Sequence, residues 1–151
     1  MRRFYLSAAL AAAVVFISSL ALAQQPVSSN DAKVAVERWL RLMDSGEYEA
    51  CYAMLSSVYI DSIKTGSPNE PKRYWVRNMG TARSSLGLNE SRRLFRMTPA
   101  RQLISSRGSS RPGSYIIFDF QSSFSNEPEV NETISAHLEN GEWKISSYIF
   151  N

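Results

Sequence analysis

One cysteine, Cys51, and one histidine, His137, are all that the chain holds for thiol, imidazole and soft-metal chemistry. A lone cysteine closes no intramolecular disulfide, so the fold must stand on its core without covalent staples. Cys51 sits on a helical stripe of apolar residues with no activating base nearby in the sequence, which makes it a small buried packing group. A Ser-His-Asp triad or a histidine metal site can draw on His137 alone. Glycine-rich phosphate loops, CxxC pairs, internal repeats and low-complexity tracts are absent from the sequence. No metal and no cofactor is expected.

Long hydrophobic runs are missing too, with one exception at the start. Arg2 and Arg3, an apolar stretch from Ala8 to Ile17, and the small-x-small triplet Ala21-Leu22-Ala23 together read as a secretory signal peptide, cleaved after Ala23. The apolar stretch is broken by Ser18 and Ser19 and falls short of the roughly 20 residues that a spanning helix needs, so no stable membrane span is expected after processing. With residues 1–23 removed, 24–30 reads as a polar leader and 31–151 as a single domain, exported to the periplasm or the medium. The chain's 17 Lys and Arg against 14 Asp and Glu come closer to parity once Arg2 and Arg3 leave with the signal. The high overall isoelectric point is therefore no argument for nucleic acid, and none is expected as a partner.

What is present is patterned. Ser29 or Asn30 offers a helix cap with Asp31 in the first turn, and Val36, Trp39, Leu40 and Met43 recur at helical spacing up to Gly46. Tyr48, Cys51, Tyr52 and Leu55 repeat that spacing. Beyond Ser56 the pattern weakens, until Pro71 opens a helix faced by Trp75, Met79, Ala82 and Leu86 and stopped by Gly87. Three helices are expected. Residues 91–105 read as a strand pair or one bent strand, with Pro99 confining it to an edge or a bulge. From Gly113 onward the chain alternates. Ile116, Phe118, Phe120 and Phe124 share one face, as do Val130, Ile134, Ala136 and Leu138, and then Trp143, Ile145 and Ile149. Asn140-Gly141 suits a tight hairpin turn with positive φ at both positions. Helices first and an antiparallel meander afterwards predict an α+β domain with the helices packed on a curved sheet formed by the C-terminal half.

Several of these stretches together resemble the secreted bacterial domain-of-unknown-function family 4019: WLRLMDSGEYEACY from Trp39 to Tyr52, the Trp75 helix leading to Ser85-Leu86-Gly87, Pro112-Gly113-x-Tyr115, the run Phe118, Phe120, Ser122, Phe124, and the closing GEWKISSYIF. The resemblance implies a cone-shaped α+β fold of the nuclear transport factor type, with helices in the concavity of a curved sheet. It brings no activity and no functional residue. The chain departs from the expected pattern at Cys51-Tyr52, where a serine beside an aromatic would stand.

Functional candidates divide between interior and surface. If the cone is hollow, Trp39, Tyr52, Trp75, Phe118, Phe120 and Ile134 would line a cavity for an apolar small molecule. Glu132 is the one acid whose parity turns it inward, but at a strand end it is expected to be exposed. His137 and Asp119 fall on the polar parity and are expected to face water, Asp119 alternatively an interface across the sheet. The charges are segregated: Lys72, Arg73, Arg77, Arg83, Arg92, Arg93, Arg96, Arg101, Arg107 and Arg111 stand against Glu90 alone, and only acids follow from Asp119 to Glu142. Arg92, Arg93, Arg96 and Arg101 therefore form a candidate surface for an anionic envelope component or an acidic protein. Pairing of the basic and acidic regions across the fold, or between subunits of a homodimer, is the competing expectation. A non-catalytic binding or interaction module fits best. The alternatives are a cofactor-free isomerase or lyase using a cavity acid such as Glu132, and a structural accessory protein that dimerises through its sheet.

Overall fold

The computed structural model describes residues 28–104 and 110–151. The expected signal peptide at 1–23 and the segment 24–27 lie outside the described residues. Helix α1 (Ser29–Asp44) begins one or two residues earlier than the sequence suggested, because Ser28 is its cap. The Ser28 hydroxyl accepts from Asp31 N at 3.2 Å, and the Asp31 carboxylate accepts from Ser28 N at 2.9 Å, a reciprocal capping box. Ala32, Val36, Trp39, Leu40 and Met43 form its buried stripe. After Gly46, whose φ of 75° favours glycine, comes the short helix α2 (Tyr48–Ala53).

A third helix, α3 (Ser57–Gly66), occupies the stretch where the apolar pattern faded, so the described residues hold four helices rather than three. It is nucleated by a cap instead of a strong stripe: the Ser56 hydroxyl accepts from Tyr59 N at 3.3 Å, and Ile63 is its one buried residue. Helix α4 (Pro71–Leu86) starts on Pro71 and ends at Gly87, where φ is 82°.

Four antiparallel strands follow in the order in which they occur: β1 (Asn89–Ile104), β2 (Ser110–Phe124), β3 (Val130–Glu139) and β4 (Glu142–Phe150). The fold is α+β with a curved sheet, as expected. The uncertain region resolves into one long edge strand, β1, whose register against β2 shifts three times, between Asn89 and Ser91, Leu94 and Arg96, and Ala100 and Gln102. At the other edge, the segment between α2 and α3 hooks onto β4: Ser56 N donates to Ile145 O at 2.8 Å and Ile145 N to Met54 O at 2.9 Å. Asn140 and Gly141 turn the last hairpin with φ of 53° and 82°.

The inner sheet face and the helices enclose one main core, in which Trp39, Phe118, Ile134 and Ile145 are fully buried. Trp39 meets Tyr148 edge to face at 5.0 Å, and its indole N–H donates to Cys51 O at 3.2 Å. Strict alternation fails in β4. Ser135 pairs with Ser147 but Ala136 pairs with Ile145, leaving Ser146 as a bulge. The Ser146 hydroxyl donates to Ser135 O at 2.9 Å and fastens it. Beyond the bulge the parity inverts, so Ile149, expected on the apolar face, is exposed, and Tyr148 turns inward instead.

Candidate functional site

The inverted end of β4 faces a network of four charges, of which Glu132 and Arg83 are buried and Arg92 and Asp44 partly exposed. Glu132 on β3, expected to be exposed, is completely buried, and its two oxygens accept from four side chains. Arg92 Nε donates at 2.6 Å, Tyr148 Oη at 2.6 Å and Arg83 Nη1 at 3.3 Å, and the Ser122 hydroxyl closes the set. Asp44, the last residue of α1, receives both Arg92 terminal nitrogens at 2.7 and 3.0 Å, and Arg83 Nη2 as well. Two arginines and two carboxylates cancel in charge, and the Phe124 ring lies beneath both guanidiniums, with Arg83 Cζ at 4.6 Å from its centroid.

Six of the eight elements meet here, α1, α4 and all four strands. Each residue arrives for a local reason. Asp44 ends a helix whose stripe packs on the sheet, Arg83 lies on the inner side of α4 three residues before Leu86, and Glu132 pairs directly with Phe120 in the β2–β3 register. Buried charges are tolerated only when paired and hydrogen-bonded, and these are. Burial works against the Arg92 charge, yet its hydrogen bonds to Asp44 and Glu132 outweigh that effect and raise its pKa above the ordinary value. Burial, reinforced by the neighbouring Glu132 charge, pushes the Tyr148 phenol well above its usual range, so it remains a donor.

The network does not reach the surface at Glu132, but its Asp44 side does. A groove of about 440 Å³ runs past Asp44, Ser45, Arg83, Leu88, Asn89 and Ser125, with Asp44 one-quarter exposed and Arg83 4%. A second groove of about 610 Å³ lies between α2 and the first turns of α4, where Lys72 pairs with Glu49 at 2.8 Å and Arg73 with Glu70 at 3.4 Å.

Of the residues proposed to line a cavity, Trp39, Trp75, Phe118, Phe120 and Ile134 are buried in the main core, and Tyr52 packs half-buried against it. None of the six borders either groove. The basic set divides. Arg92 is turned inward, a correction to its expected place on the surface, because Asp44 and Glu132 hold it. Arg93 reaches Gln121 Oε1 at 2.9 Å, Arg96 reaches Asp119 at 2.7 Å, and Arg101 is exposed with no partner among the described residues. Arg107 lies outside the described residues. Pairing across the fold thus accounts for Arg83, Arg92 and Arg96.

Two polar-parity expectations also change. Asp119 is 7% exposed, because Arg96 lies across it and the Thr133 hydroxyl donates to it at 2.8 Å. His137 is half-buried, stacked on Tyr115 at 4.4 Å between ring centroids, and burial lowers its pKa against the opposing pull of Glu139. Cys51 is fully buried, and burial, with Glu47 next, pushes its thiol up to about 12. Among the described residues no group of three His, Cys, Asp or Glu is placed to hold a metal, and no helix is long and apolar enough to cross a membrane.

A family model described as "Protein of unknown function (DUF4019)" matches residues 35–148, a span that includes every member of the buried network. No curated protein and no solved structure matches the chain.

Proposed function

We infer a role from geometry alone, because the chain belongs to the DUF4019 family, whose own description assigns no function. The protein is an exported, non-catalytic interaction module that works through its surface while its interior serves as a frame. The observation that carries this reading is the saturation of Glu132. A cavity acid for isomerase or lyase chemistry must reach a substrate proton. Glu132 converges with Tyr148 as such chemistry would ask, but it already accepts from two guanidiniums, a phenol and a hydroxyl, with none of its surface open. The exposed cations of β1, Arg93 and Arg101 foremost, make no ion pair among the described residues and are the groups that could meet a partner. A cone-shaped fold of the nuclear transport factor type agrees with the order of helices and strands and remains part of this proposal.

Site-resolved photo-crosslinking in the native envelope tests it. A photoreactive residue in place of Arg93 or Arg101 is expected to give adducts, protein or lipid, that the same group at Lys64 on α3 does not. Equal labelling at all three positions, or none at β1, overturns the reading.

A further inference from the structure

Among the described residues the strand β1 forms an edge of the sheet, and it is unusual in what it displays. Along it lie Phe95, 51% exposed, and Met97, 39% exposed, preceded by Leu88 at 76%. Interleaved with them are the exposed Arg93, Arg96 and Arg101, with Glu90 as the strand's only acid, and Arg96 Cζ stands 5.7 Å from the Phe95 ring centroid. At about 3.3 Å per residue, Arg93 to Arg101 spans roughly 25 Å. Strand addition is a poor use for this edge. Three register shifts and Pro99 interrupt the straight ladder that a partner strand would need. Recognition at β1 must therefore come from side chains.

We propose that β1 docks on an anionic bilayer surface, its arginines meeting lipid phosphates while Phe95 enters the headgroup region; Met97, paired with Phe118, lies on the other sheet face from Arg93 and Arg96. The proposal rests on the surface-module reading above and names its partner. Cations alone would suit an acidic protein equally, but that partner leaves the exposed apolar side chains without a role. An anionic bilayer takes both, because its surface attracts arginine and its interface accepts aromatic rings. Charge complementarity is favourable here because Arg93 and Arg101 make no ion pair among the described residues and Glu90 is the strand's only acid.

The test is co-sedimentation of the full mature chain with vesicles of phosphatidylglycerol or of phosphatidylcholine, at low and high salt, with soluble polyglutamate as a third probe. Binding to phosphatidylglycerol that salt weakens, and no retention on phosphatidylcholine, is expected. The double variant R93E/R101E, which leaves the Arg96 contact with Asp119 intact, is expected to lose at least about tenfold in affinity. Phe95→Ala, at an exposed position, is expected to lose severalfold and to leave the circular dichroism spectrum unchanged. Absence of phosphatidylglycerol binding, or binding that either variant leaves unaltered, overturns the proposal. So does equally tight capture of polyglutamate that ignores Phe95→Ala, which would assign the edge to an acidic protein. In either case crosslinks from β1 to a protein would keep the surface-module reading standing; loss of both results removes both.

Discussion

The Tyr148 hydroxyl donates to Glu132 Oε1 at 2.6 Å and accepts from Arg83 Nη1 at 2.9 Å, although strict alternation from Trp143 and Ile145 would turn Tyr148 to the opposite face. The single bulge at Ser146 makes the contact available. A one-residue irregularity in the last strand thus decides whether the buried network is complete.

Glu132→Gln is expected to destabilise the protein by about 3–5 kcal/mol, because it leaves the buried Arg83 and the largely covered Arg92 with Asp44 as their one carboxylate. Arg83→Met should cost a similar amount, because it leaves two carboxylates sharing the single charge of Arg92. The double variant should cost clearly less than the sum, since the remaining Arg92 and Asp44 again cancel. Urea unfolding of the four proteins measures the cycle, and strict additivity would count against one cooperative network.

Tyr148→Phe keeps the ring against Trp39 but removes a hydroxyl that both donates and accepts. A loss of about 1–3 kcal/mol is expected, with the denaturant slope unchanged. A neutral result would mean that the hydroxyl adds nothing to what the arginines already supply.

Cys51 should resist alkylation. With its thiol pushed up to about 12 and its surface closed, iodoacetamide labelling at mildly alkaline pH should proceed only through unfolding, and accelerate sharply in urea. The same shift sets a sign for stability. The unfolded thiol ionises near its ordinary 9.0 while the folded one stays protonated, so the unfolded state binds fewer protons and stability falls as pH rises from about 9.0 toward 12. Cys51→Ala should flatten that part of the profile.

His137 carries the opposite sign. Its folded pKa lies below 6.5, so on acidification the unfolded chain takes the proton first, and stability starts to fall below about pH 6.5. Glu139, depressed by its hydrogen bond from the Ser57 hydroxyl, adds a separate loss that begins only near 4.5. Nuclear magnetic resonance of the imidazole Cε1 proton should give a midpoint below 6.5, and a midpoint above it would contradict the burial seen against Tyr115.

How much of this could be read from the residues follows the range of each interaction. The meander was legible because alternation is local: Phe118, Phe120, Phe124, Val130, Ile134 and Ala136 are all buried, and Asn140-Gly141 makes its turn. Helix α3 was missed because its signal is a serine cap, not a stripe. The buried network was illegible for a different reason. Parity did turn Glu132 inward, but the partners that make its burial tolerable, Arg83 and Arg92, lie 49 and 40 positions away. Tyr148 was hidden by the bulge, which no periodic count anticipates.

The hook of residues 54–56 onto β4 has a consequence for crowded conditions. A fibril grows by adding strands to an open rim, and on that side the chain has occupied its own rim with Ser56 and Met54, held through Ile145. Neighbouring copies meeting there find the rim blocked at Ile145.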